Sequence, residues 1–321
     1  MISLGGLYKK LRRNFLLGVN AAKLKSLKSD VSVGLVSCDT WKQRVYDDIL
    51  LQKAFLDSGV KAEIVSWQDE TIDFSKYNAM LITSMWGYQD YLPDLEKWLG
   101  KVEKMNVINS VDIVRDNYNK AKQIDILKKG GLPIVVTEIL KKSDLLLAGT
   151  SFLKKHNISL PVVIKPSVSS GGANTFLVKN EREFERAAKM IQDSAADNVL
   201  VQPFVPEIES GEISVIIIGG KIVNAVTRFP GILSGDKQYR VTPLNIDDLA
   251  PDLIKLCDKV ININEFRSCT YMRIDFVKKK ADYLIMEVEL FEPQLFYYML
   301  KGKARKKMLS SMVQAVSACY N

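Results

Sequence analysis

Histidine is almost absent from this chain, since His156 is the only one among 321 residues. A single imidazole argues against the usual Ser-His-Asp triad, the His-rich metalloprotease motif and the facial histidine pair. His156 lies in the polar stretch KKHNISLP ahead of an apolar strand, so we predict a loop residue. Any catalysis by this protein is therefore expected to use other side chains.

Cysteine pairs and long apolar runs are missing too. The four cysteines are scattered with no C-x-x-C pair, which is typical of reduced cytosolic thiols and not of a disulfide framework or a zinc site. No run approaches the ~20 apolar residues of a membrane span, and the first residues lack a signal-peptide apolar core. These absences predict a cytoplasmic globular protein of about two or three domains.

The net charge of +8 comes mostly from one end of the chain. Residues 1–30 carry seven basic side chains against Asp30 alone, a net of +6, and the remaining residues carry 38 basic and 36 acidic side chains. A nearly neutral body argues against a nucleic-acid partner. Apolar residues in 1–29 recur at roughly helical spacing, so we expect a basic amphipathic leader at 1–30. Packing on the body, a loose tail or weak contact with an anionic membrane all fit that pattern.

Strands alternate with helices between residues 31 and 112. The predicted strands are VSVGLVS, KAEIVSW, AMLITSMW and NVINS, and the predicted helices are residues 42–57 and PDLEKWLGKVEK. This alternation predicts a parallel α/β sheet covered on both faces. No glycine-rich dinucleotide loop follows the first strand, so the nucleotide is not expected here.

Polar and aromatic residues follow the ends of these strands. Ligands of open α/β sheets bind beyond the carboxyl ends of the strands. The sheet is therefore expected to help hold a substrate. Together with a later loop, PGILSGDKQYRV, it supplies these candidate substrate-binding residues: Asp39, Trp41, Trp86, Tyr88, Asp236 and Arg240.

A lysine and a loop of small residues lie in the middle of the chain, after a predicted helix at 143–157. In PVVIKPSVSSGGANTFLVK, Lys165 ends an apolar strand and is followed by Ser169, Ser170, Gly171 and Gly172. Backbone N–H groups of such a loop can approach phosphate oxygens, with the lysine as a point charge beside them. The loop is not a Walker loop, because no G-x-x-x-x-G-K-[ST] motif is present. The alternative is an ordinary hairpin turn rich in serine and glycine.

Residues 271–290, YMRIDFVKKKADYLIMEVEL, have the pattern of an antiparallel hairpin. With the turn near residues 280 and 281, Asp275 falls opposite Glu287 and Arg273 falls opposite Glu289. Met286 is expected on the other, apolar face.

Three carboxylates this close repel one another unless something positive lies among them. Oxygen ligands with no histidine or cysteine nearby suit magnesium or manganese, completed by substrate phosphates. The hairpin therefore predicts a metal site. The alternative is a solvated acidic face on an amphipathic hairpin.

Taken together, VVIKPSVSSGGANTFLV, VLVQPFVPEIESGEISV and YMRIDFV followed by LIMEVELFEPQLF resemble the ATP-grasp superfamily, in that family's order. The resemblance covers about residues 113–321. The branch with glutathione-synthetase-like ligases and the cycloserine-pathway cycloligase shares the K-P-S-x-S-x-G-G and E-x-E-x-x-E-P-x-L-F wording. The resemblance implies an α/β protein in which an N-terminal parallel α/β domain, 31–112, precedes an α+β ATP-grasp core. That core would divide into a central lid subdomain, 113–200, and a C-terminal catalytic subdomain, 201–321.

By position, the resemblance implies these roles. Lys120 and Lys165 would contact ATP phosphates, under a lid formed by Ser169, Ser170, Gly171 and Gly172. The adenine would be read by Gln202, Pro203, Phe204 and Val205, with Met286 on the ring and Glu212 near the ribose. Arg228, Arg273 and Lys165 would be catalytic, and Asp275, Glu287 and Glu289 would hold magnesium. Many family members have asparagine at the last position, whereas glutamate matches the branch named above.

The implied activity is an ATP- and magnesium-dependent, ADP-forming ligase that joins a carboxylate to an amine, or to a thiol, through an acyl-phosphate. Phosphoryl transfer asks mainly for positioning and charge neutralisation, so no histidine is needed. The partners would be a small-molecule amino acid or peptide-like acid and an amine, and a homo-oligomer is left open. Two alternatives remain open, namely a small-molecule kinase and an ATP-binding protein without turnover.

Overall fold

The computed structural model describes residues 31–229 and 240–319. The predicted leader at 1–30 and the predicted substrate residue Asp236 lie outside the described residues. None of the helices in the described part of the chain is long and apolar enough to cross a membrane.

The first sheet is parallel, as predicted. Its strands run in the order β2-β1-β3-β4 and are β1 (Ser32–Ser37), β2 (Lys61–Ser66), β3 (Ala79–Ile82) and β4 (Val107–Ile108). The helices of this part are α1 (Tyr46–Asp57), α2 (Leu92–Val102), α3 (Val111–Asn117) and α4 (Lys120–Lys129). Buried residues of α1 pack in one hydrophobic cluster and those of α2 in another. The parallel α/β sheet with apolar cover on both faces is therefore confirmed.

The second sheet is antiparallel, in the order β5-β8-β6-β7. Its strands are β5 (Glu138–Lys141), β6 (Val162–Pro166), β7 (Phe176–Val178) and β8 (Asn198–Pro203). Three helices accompany it: α5 (Lys142–Ala148), α6 (Ser151–Lys155) and α7 (Glu181–Ile191). The helix predicted at 143–157 is split in two at Gly149, whose φ of 54° leaves the helical region. The sheet reaches Pro203, beyond the boundary that we predict at residue 200.

The third sheet is also antiparallel, in the order β11-β10-β9-β12-β13. Its strands are β9 (Glu212–Ile218), β10 (Lys221–Phe229), β11 (Arg240–Leu244), β12 (Tyr271–Lys279) and β13 (Asp282–Glu289). Helix α8 (Pro251–Ile261) packs in the same core as β12 and β13, and α9 (Gly302–Ser317) packs in the same cluster as α1. The last helix thus joins the end of the chain to the first sheet.

Short 3₁₀ turns lie at the joints between these elements. They are Phe74–Lys76, Tyr88–Tyr91, Pro206–Ser210, Ile246–Asp248 and Tyr297–Met299. Two of them matter below, because Tyr88–Tyr91 contacts the loop after β6 and Tyr297–Met299 closes a cavity beside α1.

Candidate active site

The predicted hairpin forms with the predicted register. Strands β12 and β13 are joined through Lys280, which has a φ of 58°. Arg273 lies opposite Glu289, and Asp275 lies opposite Glu287. The alternation of the sequence and a two-residue turn together position these four charges.

A β-bulge interrupts the register next to this charged pair. Phe276 pairs with Ile285 instead of Met286, so Met286 is an extra residue on β13. A bulge breaks the alternation of faces, and neighbouring side chains can then point the same way. Met286 and Glu287 line the same cleft, while Ile285 packs in the core. The prediction that Met286 lies on the apolar core face is therefore wrong.

One cleft is lined by most of the predicted site residues. Every predicted ATP-binding residue, every predicted catalytic residue and two of the three predicted metal ligands line it. The cleft lies between the second and third sheets, because β6, the loop after β6 and the end of β8 form one wall and β9, β12 and β13 form the other.

Asp275 is the predicted metal ligand that does not line the cleft. Its side chain is 0% exposed. The Arg273 guanidinium donates to it at 3.0, 3.2 and 3.0 Å, and Arg228 Nη2 lies 2.6 Å away. The Ser214 hydroxyl donates a further hydrogen bond at 2.7 Å. Asp275 is therefore saturated by the protein's own donors, and a role as a metal ligand, which stays a prediction, requires an arginine to move.

Lys120 and Glu287 form an ion pair inside the cleft. Lys120 is the first residue of α4, and its Nζ lies 2.9 Å from Glu287 Oε1 while donating to the Ser169 carbonyl at 2.7 Å. Burial acts to lower the pKa of Lys120, but Glu287 and Glu289 outweigh it and raise the pKa. This lysine is held in its charged form.

Lys165 has no such close partner among the residues that the structure describes. Its pKa is lowered, first by burial and then by the positive charge of Lys120, although Glu287 opposes the shift. For Glu287 itself burial acts to raise the pKa, but Lys120, Lys165 and Arg273 together lower it. Anionic phosphate oxygens in this cleft would relieve the repulsion between the two lysines.

The positive charge that the carboxylates require is therefore supplied by lysine and arginine side chains of the protein. The sequence predicts a metal ion in that role. Among the described residues, no group of three or more His, Cys, Asp or Glu is arranged to hold a metal ion. Glu287 and Glu289 nevertheless both line the cleft. Two carboxylates beside bound phosphates suit magnesium, which is usually held by one or two carboxylates plus substrate oxygens.

Glu212 and Arg228 form a second ion pair, at 2.7 Å, on neighbouring strands β9 and β10. The same guanidinium also reaches Asp275. Burial raises the pKa of Glu212 in spite of the arginine. Arg228 thus bridges the wall of the cleft to the buried end of the hairpin.

The loop after β6 contains backbone conformations that few residue types adopt readily. Gly171 and Gly172 have φ of 57° and 75°, the left-handed region that favours glycine. Ser170 beside them is bonded to the first domain. Its hydroxyl accepts from the Gly87 amide at 3.1 Å and donates to Gln89 Oε1 at 2.8 Å.

The other end of the cleft is apolar. Val205, just after β8, clusters with Val135 and Val277, and Met286 packs against that cluster. Gln202 is buried and donates to the Thr137 hydroxyl at 2.8 Å, so its side-chain amide is already hydrogen-bonded within the protein. An apolar slot beside a charged end suits a ligand with a flat ring and phosphates.

Comparison with known proteins agrees with this cleft. The RimK-like ATP-grasp domain matches residues 117–311, which is more than half of the chain. The chain belongs to the RimK-like ATP-grasp family. The N-terminal domain of D-cycloserine synthetase DcsG matches residues 33–109. The predicted ATP-grasp ligase family, and the order of an N-terminal α/β domain before the ATP-grasp domain, are confirmed.

Solved structures share the fold of this ATP-grasp protein. The crystal structure of D-cycloserine synthetase DcsG is 19% identical with a TM-score of 0.76, over 90% of this chain and 100% of that one. D-alanine–D-alanine ligase from Bacillus anthracis is 15% identical with a TM-score of 0.64, over 90% and 96%. The ATP-grasp ligase PsnB, complexed with minimal precursor, Mg and ADP, is 14% identical with a TM-score of 0.58, over 90% and 98%. None of the curated proteins matches the chain.

None of the predicted substrate residues that the structure describes lines the cleft of this ATP-grasp protein. Trp86 donates through Nε1 to the Glu292 carbonyl at 3.1 Å and meets Trp41 edge-on at 5.7 Å. Trp86 lines a separate cavity beside α1. Trp41 is 39% exposed, and Asp39 is exposed as well.

The side chains of two further candidates, Tyr88 and Arg240, pack against other aromatic residues of the protein. Tyr88 is buried between Phe291, at 4.9 Å, and Tyr118, at 6.3 Å. Arg240 is exposed on the edge strand β11 and stacks over the Phe229 ring at 3.9 Å. Neither side chain lines the cleft in this structure, so their substrate roles stay predictions that require movement.

Sequence reasoning missed the side-chain amides that hold β13 in place. Asn117 donates to the Val288 carbonyl at 2.7 Å and accepts from the Leu290 amide at 2.7 Å. Gln123 donates to the same carbonyl and accepts from the Val288 amide at 2.9 Å. These bonds cover the open edge of the strand that carries Glu287. Asn117 ends α3 and Gln123 lies within α4, and side-chain amides at such positions carry no sequence signal for this use.

Proposed function

We propose that the protein is an ATP- and magnesium-dependent ligase that joins a carboxylate, from an amino acid or a small peptide-like acid, to an amine. ADP and phosphate are the other products. The observation that carries the proposal is the Lys120–Glu287 pair at 2.9 Å in the charged end of a cleft whose other end is apolar. Membership of the RimK-like ATP-grasp family supports the use of ATP.

In the first step, an oxygen of the acid attacks the γ-phosphorus of ATP, the bond to the β-γ bridging oxygen breaks, and ADP leaves. Lys120 and Lys165 neutralise charge on the phosphates. Arg273, which lies opposite Glu289 on the neighbouring strand, stabilises the negative charge that develops on the transferring phosphoryl group. The product of this step is an acyl-phosphate. These side chains position and neutralise, and none of them needs to form a covalent bond.

Glu287 and Glu289 are the residues that would hold magnesium, which would supply positive charge to neutralise the phosphates. The ion pair with Lys120 keeps Glu287 ionised before any ligand arrives.

In the second step, the amine nitrogen attacks the acyl carbon, the carbon–oxygen bond to phosphate breaks, and phosphate leaves with the bond electrons. The amine nitrogen loses a proton to solvent as the amide forms. The arginines that surround Asp275 remain in place as cations beside the departing phosphate.

ADP release tests the proposal, with amino acids and dipeptides offered singly and in pairs. A ligase releases phosphate only when an acid and an amine are both present, whereas a kinase labels one acceptor stably. Hydroxylamine provides a second readout, because it traps an acyl-phosphate as a hydroxamate. Lys165→Met should abolish release, while Lys179→Met, at an exposed lysine on the neighbouring strand end, should leave it unchanged. Stable labelling of one acceptor, or no ADP from any pair, would contradict the proposal.

A further inference from the structure

Residues 86–89, beyond the carboxyl end of β3, contact two other parts of the chain, and we call them the junction segment. Trp86 donates through Nε1 to the Glu292 carbonyl, three residues after the end of β13. The residues that follow Trp86 are hydrogen-bonded to Ser170, in the loop after β6. The junction segment therefore lies where the first domain, the end of the hairpin and that loop meet. None of its four residues lines the cleft.

The Ser170 hydroxyl is held by two groups of the junction segment. It accepts a hydrogen bond from the Gly87 amide at 3.1 Å and donates one to Gln89 Oε1 at 2.8 Å. Gly87 has a φ of 96°, in the left-handed region that favours glycine. A hydroxyl has one hydrogen to donate, and here Gln89 receives it. Ser170 is therefore attached to the first domain and does not donate its hydroxyl hydrogen to a phosphate.

The two residues before Ser170 are also fixed in place. Val168 is 6% exposed and packs in the same hydrophobic cluster as Tyr88 of the junction segment. The Ser169 carbonyl accepts from Lys120 Nζ at 2.7 Å. The loop after β6, residues 167–175, is therefore attached to the first domain by one apolar contact and two hydrogen bonds. We call it the serine–glycine loop.

The same loop forms part of the wall of the cleft. Ser169, Ser170, Gly171 and Gly172 all line it. The attachment at Ser170 therefore determines how closely the backbone of the loop approaches a ligand in the cleft. A loop that stays closed over a ligand slows its release and keeps water out. Gln89 provides the acceptor for this attachment from outside the cleft, so it can be replaced without changing a group that lines the cleft.

We propose that Gln89 is a positioning residue, which keeps the serine–glycine loop closed over a bound nucleotide through the Ser170 hydroxyl. The proposal rests on the proposed function for the nucleotide and is independent of the identity of the acid and the amine. Without the Gln89 acceptor, the loop opens more often, nucleotide leaves faster, and water reaches the acyl-phosphate. The net contribution of one hydrogen bond corresponds to roughly a three- to tenfold change.

Hydrogen exchange of the full chain without nucleotide tests whether Gln89 holds the loop. The reporters are the amides of Ala173 and Thr175, which donate to carbonyls within the loop at 3.0 and 3.2 Å. Gln89→Leu keeps most of the side-chain volume and removes the acceptor, so these amides should exchange about three- to tenfold faster. Asp94→Asn, at an exposed position on α2, should exchange as wild type. Unchanged exchange in Gln89→Leu would overturn the proposal.

Release of a fluorescent ATP analogue tests the consequence for the nucleotide. With mant-ATP and magnesium bound, and excess ATP added as a chase, the dissociation rate should rise about three- to tenfold in Gln89→Leu. Ser170→Ala should also release the analogue faster, and the double variant should match Ser170→Ala because both residues act through one bond. Ser170→Thr, which keeps the hydroxyl, should release it as wild type. An unchanged rate in Gln89→Leu, or a further increase in the double variant, would overturn the proposal.

Failure of the proposed function gives a different result. Absence of mant-ATP binding to the wild-type protein would contradict the proposed function, while hydrogen exchange would still decide whether Gln89 holds the loop. With an active acid and amine, Gln89→Leu should release more phosphate for each amide formed, because water attacks the acyl carbon and returns the acid and phosphate. A ratio equal to that of wild type would contradict the exclusion of water by the loop.

Discussion

Two groups of buried carboxylates in this protein meet opposite electrostatic surroundings. Glu287 in the cleft is paired with Lys120, and Asp275, buried opposite Glu287 on β12, is paired with Arg228 and Arg273. Beside α1, Asp47 and Asp48 have hydrogen bonds and scarcely any cation. Burial acts to raise the pKa in both places. The cations of the cleft reverse that shift for Glu287, whereas the pKa of Glu212 and that of Glu289 stay raised.

The comparison separates two ways of keeping an acid inside a protein. The cleft keeps Glu287 ionised, ready to neutralise or orient a cation that arrives with phosphates. Beside α1, burial without a cation raises the pKa of Asp48 to about 7, so this carboxyl is neutral below that pH. The predictions below remove one partner at a time, starting with the largest expected effect.

Removing a cation from the cleft should cost the most stability. Arg273→Ala leaves Asp275 fully buried with Arg228 as its remaining cation, and breaking a buried pair costs about 3–5 kcal/mol. Urea unfolding measures the loss. Lys278→Ala, at an exposed lysine on the same strand, is the matched control and should change stability by less than about 0.5 kcal/mol. Equal losses in the two variants would show that the buried pair is unimportant.

Glu287→Gln should cut turnover by at least about 10²-fold, the scale for losing one preorganised electrostatic contact. The apo protein should also lose about 1–3 kcal/mol, because Lys120 loses its charged partner. Steady-state kinetics and urea unfolding measure the two effects. Repulsion among three bare carboxylates would give the opposite sign, a more stable apo variant, and that result would contradict the pairing.

Asp48→Asn should remove a pH dependence of the free energy of unfolding. The folded-state pKa of Asp48 is about 7, above the unfolded value of about 4, so its contribution to stability is present at low pH and is lost as pH rises through 7. Relative to wild type, the variant should therefore gain about 2–4 kcal/mol between about pH 4 and pH 8. Urea unfolding across that range measures it. Asp57→Asn, exposed on the same helix, should show no such rise; a flat difference for both would show that Asp48 ionises freely.

An exposed pair gives the smallest effect and shows that burial sets the scale. Lys53 and Asp57 are paired one turn apart on α1, with about half of each side chain exposed. Lys53→Ala should cost about 0.3–0.5 kcal/mol, decreasing with added salt. A loss as large as that of Arg273→Ala would show that charge pairing alone, without burial, explains the cleft.

The sequence predicted the hairpin well because alternation and turn length determine register. It could not reveal the bulge at Met286, since one extra residue changes no composition or spacing that a reader can see. It also assigned to a metal the charge balance that Lys120 provides. That lysine is 167 positions from Glu287, and only the folded chain shows the two together.

Other misses also have physical reasons. Strand β11 contains Pro243 and follows a glycine-containing stretch, which is typical of a loop, but proline is tolerated on an edge strand and β11 lies at the edge of its sheet. Tyr88 follows a strand end, where substrate groups are expected, yet an aromatic side chain there can equally turn into the core. Composition and position do not separate those two outcomes.

Nucleotide-dependent stabilisation tests the central claim most directly, because the claim is that the paired charges of the cleft receive ATP. With ATP and magnesium at about 100 times Kd, the wild-type protein should gain about 2.7 kcal/mol, seen as a higher Tm. The stabilisation by ATP should be much smaller in Lys165→Met. In Asp48→Asn it should equal that of wild type, since Asp48 lines a separate cavity and not the cleft. An unchanged wild-type Tm, or an equal gain in Lys165→Met, would contradict the account.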